Sequence, residues 1–192
     1  MLGARYLVED LNARRRGEDA SGTSGDVAAT PWPDIDETAL TFLGNASLKA
    51  LGISALYDGL VLSDDSGLEV DALNGEPGVR SARFAGETAT DSENRELLLG
   101  RLIDFRGKER VARFRCVMVL AQGNRILGDF SGTVEGTIIN QEKGDHGFGY
   151  ESLFVPEGFC ETFAQLPSET KNQLSHRARA LQQVIRFLAT LK

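Results

Sequence analysis

The pattern that most restricts the fold of this chain lies in residues 110–139. Over 110–121, Ala112, Phe114, Cys116, Met118 and Leu120 share one face of a long strand, with Val117 and Val119 on the other. Gly123-Asn124 turns the chain back into a strand over 125–130, and 132–139 adds a further strand. An antiparallel meander is expected. Upstream, Leu60-Val61-Leu62 stops at Asp64-Asp65 and predicts a short buried strand. Leu68, Val70 and Ala72 alternate with Glu69 and Asp71 and predict a second, half-exposed one. Asn74-Gly75 and Pro77-Gly78 are turn pairs.

Three helices accompany these strands. Leu40, Leu43, Leu48, Leu51 and Leu56, with Ala46, Ala50 and Ala55 between them, predict a helix over 39–57 with Thr38 as N-cap. Thr90 and Glu93 form a capping-box pattern ahead of a helix that runs to about residue 102. Leu174, Ala178, Leu181, Ile185 and Leu188 mark the stripe of a C-terminal helix that opens at Lys171. Residues 5–8 read as a short strand, and 13–33, with Arg14, Arg15 and Arg16, as an inserted loop. Helices and strands mix without strict alternation, which predicts an α/β or α+β protein with a largely mixed sheet. A length of 192 residues fits one domain whose first 33 residues are loop-rich.

Charge and composition narrow the function. With 21 Lys plus Arg against 28 Asp plus Glu, the net charge of -7 argues against an overall positive field for nucleic acid. No apolar run approaches the ~20 residues that cross a bilayer, and no membrane association is expected. Two cysteines, Cys116 and Cys160, are too few for a disulfide framework or a structural zinc site. A cytoplasmic protein is expected.

Chemistry concentrates in a few segments. Neighbours on a strand point to opposite faces, so only one of Asp64 and Asp65 faces a given site. A carboxylate there suits either Mg²⁺ with substrate phosphates or proton transfer from water, and the segment equally suits a solvated turn. Asp34, Asp36 and Glu37 precede the first helix, where acids also favour a helix N-terminus. Lys49 suits phosphate neutralisation or plain surface exposure. Residues 144–151 hold three glycines and two aromatics, a base-stacking loop or a tight turn with Phe148 in the core. Lys171, Ser175, His176 and Arg177 gather basic groups at a helix start, an arrangement that suits an anion.

In this order and spacing, DETALTFLGNASLKA, SDDSGLEVDALNGEPGVRSARFAGE, HGFGYESLF and KNQLSHRARAL resemble the Ham1/RdgB family of inosine triphosphate pyrophosphatases. The resemblance spans about residues 34–190. It implies a long twisted mixed sheet flanked by helices, in two lobes around a nucleotide groove. It also implies a homodimer and Mg²⁺-dependent hydrolysis of ITP, dITP and XTP to the monophosphate and pyrophosphate. By position, Asp65 is implied as general base and metal ligand, Glu37 as the second metal ligand, and Lys49 as the catalytic phosphate support. Ser66, Phe148, Gly149, Tyr150, Glu151, Lys171, His176 and Arg177 are implied to bind the substrate. The last three basic groups would read the purine's six-position oxygen. The chain departs from the family at three places. Residues 1–33 do not match its opening strand and T-x-N-x-x-K loop, Gly44 stands where Glu is common, and Glu151 stands where Asp is common. A chain that starts after that opening unit, or a homologue that binds nucleotides with impaired catalysis, is the alternative expectation.

Overall fold

Four strands pair in chain order into one sheet: β1 (Val61–Val70), β2 (Val111–Gln122), β3 (Arg125–Ile138) and β4 (Phe154–Pro156). The computed structural model describes residues 33–191. Every pairing among the described strands is antiparallel. The meander therefore forms as expected, in an α/β arrangement whose described strands include no parallel pair. Glu37–Lys192 make one compact unit, to which all elements below belong. The expected strand at 5–8, the Arg14, Arg15 and Arg16 loop and the departure from T-x-N-x-x-K lie outside the described residues.

The turn between β2 and β3 is the two-residue Gly123-Asn124, with φ of 56° and 58°. Positive φ at both central residues matches the right-handed twist of the strands it joins. Two pairs of short expected strands are each one long strand. β1 runs unbroken through Asp64, Asp65 and Gly67, and β3 unbroken through Ser131. Gly67 does not turn the chain. A Cβ there would lie 2.4 Å from the Gly78 carbonyl oxygen and 2.5 Å from Ser81 Oγ, so glycine serves close approach.

Helix α1 (Phe42–Ser54) is shorter than expected and is capped by Thr41, whose Oγ1 accepts from Gly44 N at 3.1 Å. The expected cap, Thr38, lies outside the helix, because Thr41 takes the extended cap conformation, at φ -137° and ψ 149°. The leucines mark the helix but not its inner face. Ala46 and Ala50 pack on Val119 and Ala121, while Leu43 and Leu48 are exposed. Small residues let α1 sit close to the odd-numbered face of the sheet, and leucines there would hold it off.

Helix α2 (Asp91–Arg101) carries the expected capping box of Thr90 and Glu93. The expected C-terminal helix is two helices, α3 (Ser168–Leu174) and α4 (His176–Leu188). Ser175 separates them in extended backbone, and its Oγ accepts from Ala178 N at 3.2 Å. A serine that caps the second helix cannot also continue the first. The inner face of α4 is His176, Ala180, Val184 and Leu188, one step round from the expected stripe.

α4 lies on the even-numbered face of the sheet. The main core is on that side, where Leu68, Val70, Phe114 and Val134 meet Leu98, Leu102, Tyr150, Leu153, Phe154 and Phe163. Gly132 makes the α4 contact. A Cβ there would lie 2.1 Å from the His176 carbonyl oxygen and 2.6 Å from Ala180 N. Gly132→Ala is expected to destabilise the fold by about 1–3 kcal/mol through overpacking against backbone. Gly100→Ala, in α2 with open space around the added methyl, is expected to stabilise by up to about 1 kcal/mol. Urea unfolding of the two variants beside the wild type checks both signs.

Candidate active site

Asp65 is the buried centre of the polar groups on the odd-numbered face. It pairs with Val117 across β1 and β2 and is only 8% exposed. Asn45, fully buried on the inner face of α1, donates from Nδ2 to Asp65 Oδ2 at 3.0 Å. The Asn45 Oδ1 accepts from Ala39 N at 2.9 Å, which fixes the amide. Ser66 N donates to Asp65 Oδ1 at 3.0 Å. Burial pushes the Asp65 carboxyl above its ordinary range, and the charge of Glu37 adds to that. The Asn45 bond, the Lys49 charge and the Ser66 N–H act in the opposite direction.

Glu37 and Lys49 are brought together beside Asp65. Lys49 Nζ lies 2.6 Å from Glu37 Oε1, both half-buried. Arg83 adds a second cation, 3.8 Å from Glu37 Oε2, and its Nη2 donates to the Glu37 carbonyl at 3.2 Å. Gly44, where a glutamate was expected, leaves no room for a side chain without movement. A Cβ there would lie 2.5 Å from Ala39 Cβ.

The even-numbered face carries the second half. Ser66 Oγ donates to Asp64 Oδ2 at 2.9 Å, and Arg177 Nε meets the same oxygen at 3.2 Å. The Arg177 guanidinium carbon lies 5.6 Å from the centroid of the Phe148 ring. Phe148 is 63% exposed, so the aromatic of the glycine loop faces outward and not into the core. His176 is buried and stacks on Phe114 with centroids 5.1 Å apart. Burial, with the charge of Arg177, lowers its imidazole to about 4, so the ring is neutral, and its buried Nδ1 has no partner among the described residues.

The loop between is held at several points. Gly149 N donates to Asp91 Oδ2 at 2.7 Å, and Arg95 Nη1 donates to the Gly149 carbonyl at 2.9 Å. Asp91 and Arg95, one turn apart on α2, thus grip both sides of one residue. Tyr150 is buried and donates its hydroxyl to the Ser81 carbonyl at 2.8 Å. Glu151 Oε2 accepts from Lys171 Nζ at 2.8 Å, which ties the loop to α3. Gly147, beside that pair, sits at φ 92°, a conformation that favours glycine, and a Cβ there would displace the Glu151 carboxylate.

The structure thus gathers Glu37, Lys49 and Asp65 in one group and Ser66, Phe148 and Arg177 in another. Glu151 and Lys171 pair, and His176 sits beneath. Asn45, Arg83, Asp64, Asp91 and Arg95 were not singled out as site residues in sequence. Asp64 carried a local signal as half of the adjacent aspartate pair, and Asn45 as the one amide in the segment FLGNASLKA.

The Ham1 family model matches residues 13–187. The dITP/XTP pyrophosphatase of Oceanobacillus iheyensis is 45% identical over 159 residues, covering 83% of this chain and 81% of that protein. The dITP/XTP pyrophosphatase of Listeria innocua is 45% identical over 156 residues, covering 81% and 77%. Among solved structures, the Staphylococcus aureus Ham1 protein superposes with a TM-score of 0.79 at 42% identity, covering 84% of this chain and 83% of that one. The two pyrophosphatases are, by their names, hydrolases of nucleoside triphosphate anhydride bonds.

The neutral burial of His176 sets a pH dependence. Its folded value is about 4 and its ordinary value 6.5, so the unfolded chain binds the proton better between them. The stabilisation is whole above pH 6.5 and is lost as pH falls toward 4, by about 3 kcal/mol at most. Asp65, raised in the folded state, opposes this, adding stability as pH falls toward its ordinary value. Urea unfolding from pH 7 to 4 is expected to show a shallower loss in His176→Gln than in the wild type.

Proposed function

This chain is a member of the Ham1 family, and on that premise we propose that it hydrolyses non-canonical purine nucleoside triphosphates to the monophosphate and pyrophosphate. ITP, dITP and XTP are the proposed substrates, and nucleotide-pool house-cleaning the role. The observation that carries the reading is Asp65, a buried carboxylate with a raised pKa in the field of Lys49 and Glu37. A group poised in this way accepts a proton more readily than an ordinary carboxylate.

Asn45 and the Ser66 N–H hold both Asp65 oxygens in place, and the carboxylate takes the proton of the water that attacks the α-phosphorus. Lys49 neutralises phosphate charge, exchanging part of its contact with Glu37 for the substrate. Glu37 and Asp65 would hold Mg²⁺. Among the described residues no three His, Cys, Asp or Glu side chains gather, and two carboxylates with the rest of the shell from water and phosphate suit this cation. When bound, the cation supplies positive charge to the departing pyrophosphate.

The base lies against Phe148, with Arg177 beside it and Gly149, Tyr150 and Glu151 shaping the loop. Ser66 borders the nucleotide. Lys171, Arg177 and a protonated nitrogen of neutral His176 offer donors to a six-position oxygen. Adenine presents an amine there and would leave buried donors unpaired. A cytoplasmic homodimer completes the proposal. The free cysteines Cys116 and Cys160 suit a reducing compartment.

With Mg²⁺ present, the chain is expected to release pyrophosphate from ITP and not from ATP. Asp65→Asn is expected to lower the rate at least about 100-fold. Absence of pyrophosphate from every purine triphosphate would overturn the hydrolase reading. A rise in melting temperature with IMP would then mark a nucleotide-binding homologue. Activity is expected to rise with pH as Asp65 deprotonates. Asn45→Ala, which removes a bond that favours the ionised form, should move that limb to higher pH. An unmoved limb assigns the titration to another group.

A further inference from the structure

Asp64 is the carboxylate of the pair that the proposed chemistry leaves unused. It stands on the opposite face of β1 from Asp65, and one of its oxygens collects three donors. Ser66 Oγ lies at 2.9 Å, Arg177 Nε at 3.2 Å and Cys116 Sγ at 3.8 Å. Arg177 and Asp64 are 113 residues apart in sequence and 44% and 38% exposed. A pair so open to solvent contributes little to stability, so its effect is chiefly on where the guanidinium lies. Asp64 occupies only Nε–H. The four Nη hydrogens of Arg177 make no hydrogen bond within the described residues, and the group lies over the exposed Phe148 ring.

We propose that Asp64 is a positioning residue of the base pocket. Its carboxylate holds Arg177 over Phe148 with the Nη donors free, and so sets the preference for a purine with a six-position oxygen over one with an amine. Without the anchor, a flexible arginine samples many rotamers, and each bound base must order it. The preceding reading of the site supplies the ligand class. The two adjacent aspartates thereby divide the work: Asp65 serves the reacting phosphate, and Asp64 the identity of the base.

Titrations with IMP and AMP test this without turnover. The wild type is expected to prefer IMP, and Asp64→Asn to weaken IMP binding about tenfold while leaving AMP nearly unchanged. In ITP hydrolysis the same variant is expected to raise KM about tenfold with kcat within about twofold. In an Arg177→Met background, Asp64→Asn should add nothing, since it acts through that side chain. Asp64→Glu, which keeps the charge, should recover part of the IMP preference, and it carries the same cycle if Asp64→Asn does not fold. Additive effects overturn the proposal, as does a loss of kcat at constant KM. A wild type that prefers IMP but releases no pyrophosphate fails the catalytic reading alone. A wild type that hydrolyses ITP while Asp64→Asn keeps its IMP preference fails this proposal alone.

Discussion

The alternation of side chains along β1 is the constraint on which the site depends. Asp64 and Asp65 are adjacent in sequence, yet the pleat sends them to opposite faces of the sheet. Each face is covered by a different helix. On the odd-numbered side α1 brings Asn45 and Lys49 to Asp65, and on the even-numbered side α4 brings Arg177 to Asp64. A one-residue slip of β1 against β2 would exchange the two carboxylates and dismantle both groups at once. Ten paired residues and an apolar core on the even face oppose that slip.

The two halves differ in their physics. Asp65 is buried, and its hydrogen bonds only partly offset the loss of water, so its proton affinity rises. Asp64 is open to solvent and carries a long-range ion pair whose use lies in direction. Lys49 and Arg83 place positive charge beside Glu37, and that charge attracts phosphate. The carboxylates of Glu37 and Asp65 balance it. Close to neutrality in this way, the site suits a substrate that brings its own negative charge together with a metal ion.

Several features were legible in sequence because they rest on local rules. The meander follows from period-two alternation and from a two-residue turn with positive φ at both positions. The Thr90 capping box is a contact three residues long. Other readings failed where a longer-range contact decided. The apolar leucines of α1 suggested its period, but the close approach of the helix to the sheet buries its alanines. Asp64-Asp65 looked like the end of a strand because charged residues usually interrupt one, yet Arg177 and Asn45 supply partners that let β1 continue through them. Leu174 and Ala178 fit one helical stripe across Ser175, but the Ser175 hydroxyl caps α4 and splits the helix.

Residue order alone was enough to establish the family resemblance, the antiparallel meander and the rule that only one of two neighbouring aspartates can face a given site. These depend on motif spacing and on backbone periodicity, which are local. The tertiary structure decided which groups meet which aspartate, that His176 is buried and neutral, and that Arg83 joins Lys49 at Glu37. Those outcomes depend on contacts between residues tens of positions apart and on how much water each group loses. Neither quantity exists until β1 is paired and the two helices have closed over its faces.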